Sequence, residues 1–402
     1  MPWTLRMTLY AFLIALIPYG YVAWRLINAF TIVFPHSSRS AKIITISIMG
    51  LINLLPLIML LYHLTNNSDH LFLNKPELTI LDYLFNFPFW LGLIVILEVF
   101  PYFIASDMIQ LIARFFATKN FSSWSRWLAY VRILLIGFFI IYVCFRVYTD
   151  TYRVRTVTQD IRIKNLPSTL NNLSLVLIAD LQIDRYTQET KIREFKNQLQ
   201  SHPADLLLFT GDLVTQGTYF IPQALRVLCN TKAKRSRIAC VGDHDVWSDA
   251  PRIAKGLRDC GWIFLDNAHH IIHLDSANIL VTGISQVYSK RISSRELENV
   301  LENSPQANLK ILIVHQPAEK IIRAAEHNGY HLMLAGHTHG GQVVFKPFGV
   351  SLTPTQIENH IWSGYDKWKH LNIFVSNGIG VTLMPFRYQA PADIVKINIY
   401  RE

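Results

Sequence analysis

Gly336-His337-Thr338-His339-Gly340-Gly341-Gln342 is the stretch on which the reading of this chain turns. It follows Leu332–Ala335, a short apolar run of the kind that forms a buried strand. In a strand, residues i and i+2 point to the same side, so His337 and His339 are expected to face one site if the extended conformation persists past the strand end. The flanking glycines permit sharp turns and close backbone approach. Two imidazoles at this spacing, framed by glycines, are rare in a loop that serves packing alone.

Working outward, the same pattern recurs upstream. Asp180-Leu181-Gln182 follows the run Leu175–Ala179, and Gly211-Asp212 follows Leu206–Thr210. Gly242-Asp243-His244-Asp245 follows Ile238–Val241, and His315 follows Ile311–Val314. Taken singly, Gly211-Asp212 reads as a turn, His315 as a core histidine, and Asp180-Leu181-Gln182 as nothing in particular. Together, at successive strand ends, they predict one polar pocket at a sheet edge. Carboxylate and imidazole donors suit Mn, Fe or Zn, whereas an all-oxygen site suits Mg or Ca. Two dications about 3.5–4 Å apart clamp a phosphate and make water nucleophilic at neutral pH. Asp212 suits the shared ligand of such a pair and His244 the proton donor. Asp245 is expected to orient an imidazole or to cap the helix that follows.

Further runs at Ile279–Gly283, Ile373–Ser376 and Ile394–Ile399, and an alternating segment at Arg153–Ile163, complete the expected strands; the last reads as a half-exposed edge strand. Amphipathic stretches at Gln188–Gln200, Ile221–Asn230, Pro251–Cys260, Ser294–Glu302 and Ala318–His327 separate several of them. Strand–helix alternation of this kind predicts an α/β domain with helices covering the sheet.

The first 148 residues differ in kind. Of the whole chain 51% is hydrophobic, and the excess is concentrated there. Apolar stretches of about 20 residues, the length that crosses a bilayer, are expected near Met7–Ile27, Ile43–Leu64, Phe87–Ile109 and Val131–Val147. No small-residue cleavage pattern follows the first, and three more come after it, so a removed signal peptide is not the reading. Glu98, Pro101 and Asp107 interrupt the third, and their carboxylates read as the end of that span or as the only support for a coupled transport function. Trp124 and Trp127 read as interface anchors. The organisation expected is a helical membrane region at 1–148, a junction at 149–173 and a catalytic domain at 174–402.

Arg39, Lys42, Arg114, Lys119, Arg126 and Arg132 flank one face of the spans, against Arg6, Lys75, Arg146, Arg153 and Arg155 on the other. By the positive-inside rule the small bias points to an extracytoplasmic catalytic half. The cysteines point the other way. Cys229, Cys240 and Cys260 have no C-x-x-C spacing and read as free thiols, which fit a reducing compartment. The formal net charge of +10 does not imply nucleic acid, because much of it flanks the spans where anionic headgroups lie. The cluster Lys232, Lys234, Arg235 and Arg237 reads as a solvated loop and has no interleaved aromatics.

These residues resemble the calcineurin-like metallophosphoesterase superfamily, and among its members the bacterial membrane-attached phosphohydrolases carrying Gly-His-Thr-His-Gly-Gly-Gln. The resemblance covers about Ser174–Ile399, including Val375-Ser376-Asn377-Gly378-Ile379-Gly380 and Pro385-Phe386-Arg387. It implies a four-layer α/β/β/α sandwich, preceded here by about four membrane helices. It implies that Asp180 and His339 bind a first metal, with Gln182 as third ligand. Asp212 would bridge, and Asp243, His315 and His337 would bind the second metal. His244 would protonate the leaving oxygen.

Three positions depart from the family pattern. Gln182 stands where the family has histidine, Asp243 where it has asparagine, and Thr215 where a further carboxylate is usual. Asp184 is a possible extra ligand that compensates. The extra carboxylates favour Mn among Mn, Mg, Fe and Zn. The function implied is hydrolysis of a phosphoester or pyrophosphate, on a phosphate-containing small molecule or lipid, at a membrane and with no nucleic acid. The departures motivate an alternative, a weak or inactive metal-binding membrane scaffold or sensor. His269, His270 and His273 read as exposed edge residues in an extended segment next to a strand, and Trp362 and Trp368 as pocket lining or membrane contacts.

Overall fold

The computed structural model describes residues 1–67, 71–116, 121–187 and 189–402. Lys119 and Gln188 lie outside the described residues. The chain divides into two compact units. One comprises Met1–Val147 with Phe345–Ser351 and Leu383–Pro385, and the other holds the remainder.

The first unit is helical: α1 (Trp3–Val33), α2 (Ser38–Ile52), α3 (Leu54–Leu64), α4 (Phe87–Phe116) and the larger part of α5 (Phe121–Tyr152). Three helical stretches, Trp3–Val33, Asp82–Phe115 and Ser122–Tyr152, are long and apolar enough to cross a membrane. The expected span Ile43–Leu64 is broken. The helices on either side of Asn53 are bent by 43°, so among the described residues three helices are long and apolar enough to span, or four if the bent pair counts as one. Pro56 explains the break, because it has no N–H to continue the ladder to Ile52. Large apolar side chains such as Ile17, Leu134 and Ile141 are more than 70% exposed, as lipid-facing residues are.

Asp107 does not end its helix. Its carboxylate is shared by Arg25 and by Arg132 Nη2 at 2.7 Å, and it accepts from the Tyr21 hydroxyl at 2.6 Å. Gln110 Oε1 takes further N–H groups of both arginines at 2.9 and 3.0 Å. Asp107 is therefore an inter-helix tie among α1, α4 and α5.

The second unit runs β1 (Val154–Ile163), β2 (Leu173–Ile178), α6 (Glu189–Ser201), β3 (Leu206–Phe209), α7 (Ile221–Cys229) and β4 (Ser236–Ala239). Then come α8 (Asp243–Ser248), α9 (Ala250–Asp259), β5 (Ile263–Phe264), β6 (Ala268–Leu274), β7 (Ala277–Ile284) and α10 (Ser294–Glu302). The rest is β8 (Leu309–Val314), α11 (Glu319–His327), β9 (Leu332–Ala335), α12 (Thr355–Glu358), β10 (Gly364–Trp368), β11 (Leu371–Val375) and β12 (Ala392–Arg401). Two six-stranded sheets result, ordered β1-β12-β2-β3-β4-β5 and β10-β11-β9-β8-β7-β6.

The layers follow from which faces are apolar. One core cluster joins Leu175, Leu177, Leu208 and Ile397 of the first sheet to Ile279, Ile311, Ile313 and Leu334 of the second, so the sheets face each other. A second cluster sets Val176, Ile178 and Phe209 against Phe195, Leu228 and Leu257 of α6, α7 and α9. A third sets Leu312, Val314 and Met333 against Leu297, Ile321 and Ile322 of α10 and α11. The strands are buried on both faces, which is why they read as continuous apolar runs. The result is the expected α/β/β/α sandwich.

β1 is an edge strand, as expected, and pairs only with β12, in parallel. Strand β6 carries His269, His270 and His273 at the edge of the second sheet. His269 Nδ1 lies 2.8 Å from Thr282 Oγ1 and His273 Nδ1 2.8 Å from Asn278 Oδ1, so two of the three rings serve cross-strand bonds. Trp368 packs against the α10/α11 side of the second sheet with Arg323 stacked over its ring. The thiol reading is overturned: Cys229, at the end of α7, is bonded to Cys260, after α9. Sequence spacing gave no sign of this, because 31 residues separate the two and a folded α7–α9 pair brings them together. Arg237 buttresses the same corner, donating to Cys229 O at 3.0 Å and Thr231 O at 2.9 Å.

Candidate metal centre

Strands β2, β3 and β4 run parallel in one sheet and β8 and β9 in the other, so their C-terminal ends open toward a common rim. That rim is where ligands sit in open α/β sheets. Asp180 and Gln182 leave β2, Asp212 leaves β3, and Asp243, His244 and Asp245 leave β4. His315 leaves β8, and His337 and His339 leave β9. All are buried or nearly so.

The strand-periodicity argument does not survive. Asp180, Gln182, Asp212, His337 and His339 have φ of +47°, +40°, +61°, +73° and +52°. The chain kinks into the left-handed region at these five of the seven candidate ligand positions, Asp243 and His315 being the exceptions, instead of staying extended. Such strain concentrates at functional sites. The Gly211/Gly242 contact makes it possible: a Cβ on Gly242 would collide with the Asp212 carboxylate and backbone nitrogen.

Two donor groups form. Asp180, Asp212 and His315 offer ligand atoms all within 4.8 Å of one another, as do Asp243, His315 and His337. Asp212 sits centrally. Its Oδ2 lies 3.2 Å from His315 Nε2, 3.2 Å from Gln182 Nε2 and 4.0 Å from His244 Nε2, while Oδ1 accepts from His244 N at 2.9 Å. Asp180 accepts from His337 N at 3.0 Å and faces His339 Nε2 at 3.5 Å. Asp243 Oδ2 lies 3.1 Å from His337 Nδ1.

Gln182 Oε1, buried at the centre, lacks a hydrogen-bond partner, and His315 Nε2 meets carboxylates, Asp212 Oδ2 at 3.2 Å and Asp180 Oδ1 at 4.0 Å. His315 Nδ1 donates to Thr210 O at 2.8 Å, which leaves Nε2 as the atom to coordinate. That amide oxygen and that imidazole nitrogen, set among three carboxylates, are donors a cation would take in place of the ring proton. The donor set fits divalent metal.

Electrostatics agree. Burial pushes the Asp180 carboxyl up to about 7, and the charge of Asp212 adds to the push. For His315, burial alone would lower the pKa, but Asp212, Asp243 and Asp180 outweigh it and hold the ring protonated well above the usual range. The metal-free site thus supplies its own cation.

Asp245 and Asp184 do something other than touch metal or imidazole. Asp245 accepts from Asp212 N at 2.9 Å, Leu213 N at 2.8 Å and Gly242 N at 3.0 Å. It caps α8 and pins the β3 loop, so the imidazole-orienting alternative is set aside. Asp184, named as an extra ligand, is engaged within its own loop. Its oxygens are taken by Tyr186 N at 2.8 Å, Thr187 N at 3.0 Å and the Thr215 hydroxyl at 2.8 Å. Thr215, where the family pattern has a carboxylate, belongs to that loop staple.

Several residues at the site were not singled out by the sequence. Gln316 Nε2 donates to both oxygens of Asp243, at 3.2 and 3.3 Å, and Tyr288 N donates at 3.3 Å. The Tyr288 ring stands edge-on to His337 with centroids 5.1 Å apart, and its hydroxyl bonds Glu358. Gln316 adjoins His315, which was a usable signal. Tyr288 comes from the loop after β7 and carried none.

Residues 173–341 match the family of calcineurin-like phosphoesterases. The chain thus carries a calcineurin-like metallophosphoesterase domain. A Helicobacter pylori (strain J99) protein described as an uncharacterized metallophosphoesterase is 24% identical over 244 residues, 59% of this chain and 64% of the relative. The metallophosphoesterase YkuE of Bacillus subtilis is 23% identical over 256 residues, 63% of this chain and 87% of the relative. A Danio rerio transmembrane protein with metallophosphoesterase domain is 22% identical over 251 residues, 60% of this chain and 56% of the relative. The similarity thus spans just under two thirds of the Helicobacter relative's length. Among solved structures, an archaeal phosphodiesterase aligns with TM-score 0.30 at 12% identity, over 51% of this chain and 84% of that one. GAP50, the anchor in the inner membrane complex of Plasmodium, aligns with TM-score 0.37 at 12% identity, over 55% and 76%. The apolar helices, together with relatives named as transmembrane proteins, indicate a membrane protein.

Proposed function

We propose that the chain is an integral-membrane metallophosphoesterase that hydrolyses a phosphoester or diphosphate bond with two divalent cations. The observation that supports this most directly is the unpartnered Gln182 Oε1 beside His315 Nε2, both buried among Asp180, Asp212 and Asp243. Residues 174–402 form the catalytic domain, 149–173 the junction and 1–148 the membrane region. Asp180 and His339, whose Nε2 faces Asp180 Oδ1 at 3.5 Å, hold the first cation, with Gln182 as third ligand. Asp243, His315 and His337 hold the second, with Asp212 shared. Bound cations there supply Lewis acidity toward the phosphoryl oxygens and a water made nucleophilic at neutral pH. Mn suits the mixture of carboxylate and imidazole best.

The chain's own residues do the remaining work. The His244 Nδ1 hydrogen is held by Thr215 O, which fixes the ring and aims Nε2 into the site, 3.5 Å from Thr382 Oγ1. From Nε2 the ring delivers a proton to the departing oxygen, a contribution of about 10²–10⁴-fold. Asp245 keeps the Asp212 loop in place while this happens. The substrate is a phosphate compound, and a lipid-linked one suits a membrane enzyme because both meet at the bilayer surface. The catalytic half faces an extracytoplasmic, oxidising compartment. The charge bias around the spans supports this, and so does the Cys229–Cys260 link, since disulfides persist where the compartment is oxidising.

Full-length protein in detergent, charged with Mn, is to be assayed on an aryl phosphate, a bis-aryl phosphate and a panel of lipid phosphates and pyrophosphates. Turnover that disappears with chelator and with Asp212→Asn, and falls about 10²-fold or more with His244→Ala, is the expected result. Absence of turnover with every metal and substrate would favour the scaffold or sensor reading instead.

A further inference from the structure

In the helical unit, Asp107 sets one carboxylate against two guanidinium groups. Its Oδ1 accepts from Nη2 of Arg25, on α1, and from Nη2 of Arg132, on α5. The other hydrogens of the same two nitrogens go to Gln110 Oε1. Arg132 Nε donates to Ser106 Oγ at 2.8 Å. A guanidinium carries five N–H groups and keeps its charge in a protein. Among the described residues, Nε and Nη1 of Arg25 and Nη1 of Arg132 have no acceptor, which leaves three N–H groups on the first and two on the second uncommitted. Arg132 is 2% exposed and Arg25 12%. The Tyr21 hydroxyl donates to Asp107 and adds no charge. The cluster therefore holds one more positive charge than negative. Among apolar helices such an excess is costly and marks a functional position.

The cluster lies toward one end of the spans. α4 ends at Phe116 and α5 begins at Phe121, so both reach that end. α1 runs alongside α4 in the same direction, with Tyr19 by Gly92 and Arg25 by Asp107. At 1.5 Å per residue, the three charged residues stand about 12–17 Å inside their helix ends. The helices themselves, of 30 to 32 residues, are about 45–48 Å long, roughly 15 Å more than the hydrocarbon layer. Shared between the two ends, that excess puts both arginines within a side chain's length of the headgroups. Aromatics mark the same boundary. Exposed Trp24 has the Arg25 guanidinium 4.8 Å from its ring centre, and exposed Trp124 and Trp127 stand in the first turns of α5. Tryptophan gathers at the membrane–water interface.

We propose that Arg25 and Arg132 bind the headgroup phosphate of an anionic lipid, whose negative charge completes the balance that Asp107 leaves open. Asp107 and Gln110 hold the two guanidiniums together, and the uncommitted N–H groups are the donors a phosphate takes. A zwitterionic lipid brings its own ammonium and leaves the excess in place. The site belongs to the membrane helices and does not depend on the metal reading.

The test uses full-length protein in nanodiscs of phosphatidylcholine, with and without phosphatidylglycerol. Native mass spectrometry counts the lipid retained, and a thermal scan follows the midpoint. The wild type is expected to prefer phosphatidylglycerol by about 5–30-fold, and its midpoint to rise when that lipid is added. Arg25→Gln leaves Arg132 and Asp107 as a balanced pair. It should stay folded in phosphatidylcholine, bind both lipids about equally and show no such rise. Arg39→Gln with Lys42→Gln removes exposed charge just after α1, at the same end of the spans, and should leave the preference intact. A preference lost equally in that double variant would mean diffuse attraction and overturn the proposal. An unchanged preference in Arg25→Gln, or an equal fall of its midpoint in both lipids, would reduce the cluster to a helix tie. An equal rise with inorganic phosphate would overturn the assignment to lipid.

Discussion

Replacing Asp245 by alanine should loosen the β3–β4 rim of the site before it affects any chemical step. Its buried carboxylate accepts three backbone N–H bonds, from Asp212, Leu213 and Gly242, at 2.8–3.0 Å. Hydrogen bonds to a charged group contribute about 1.5–3 kcal/mol each, and an abandoned buried donor costs about 1–3 kcal/mol. Three such donors give a nominal loss of about 3–9 kcal/mol. Against this stands the cost of keeping the carboxylate buried beside Asp212, which burial and that neighbour express by pushing its pKa up to about 6. A net loss of about 3–5 kcal/mol is left, the range for breaking a buried ionic network. Hydrogen exchange read by mass spectrometry on the peptide spanning residues 209–216 measures this locally. At 1.4 kcal/mol per decade, opening should become about 10²–10⁴-fold more frequent, with Mn binding lost in parallel. Asp245→Asn should recover only part, because its amide places N–H groups toward N–H groups. If exchange in Asp245→Ala is unchanged while turnover collapses, the carboxylate acts on substrate or metal and the strut explanation is wrong.

Gly242→Ala should abolish metal binding in a chain that still reaches the membrane, because the added Cβ collides with Asp212; retained Mn stoichiometry would contradict the close packing. Metal affinity should rise with pH. His315 is held protonated in the metal-free site by Asp212, Asp243 and Asp180 against its burial, so cation entry must expel a proton, and calorimetry in buffers of different ionisation enthalpy should count at least one released. Without reductant, Cys229 and Cys260 should resist alkylation after denaturation while Cys144 and Cys240 react. Cys229→Ser should cost about 3–4 kcal/mol for a loop of 31 residues, read as a lower denaturant midpoint. Asp107→Asn should lower the thermal midpoint of the helical unit in detergent by the equivalent of about 3–5 kcal/mol, because it strands Arg25 and Arg132 together.

The strands and helices of the second unit were largely legible because most apolar runs are buried on both faces and the helices between them are amphipathic. β5, β6 and β10 were not among the expected strands: the first is two residues long, the second carries three histidines, and the outward residues Tyr365, Asp366 and Lys367 of the third are polar. Metal-type residues were legible from their recurrence at strand ends, but the reason they converge was not. Period-two geometry suggested it, whereas five left-handed kinks accomplish it, and backbone angles of that kind leave no signature at Asp180 or His337. Asp184 looked like a ligand because proximity in sequence was the only measure at hand. Its oxygens are spent on Thr215 and two backbone amides, which only the folded loop reveals. The Cys229–Cys260 bond was hidden for the same reason.

The placement of β12 bears on how the polypeptide is made. Ala392 pairs with Val154, and the strand separates β1 from β2. While a ribosome is still translating the second sheet, β1 has no neighbour and β2 has one open edge. Neither can be closed until codon 401 has been read. The nascent domain therefore waits with two adhesive edges exposed, and a stop codon placed before position 392 should yield material that aggregates or is degraded rather than a smaller working enzyme.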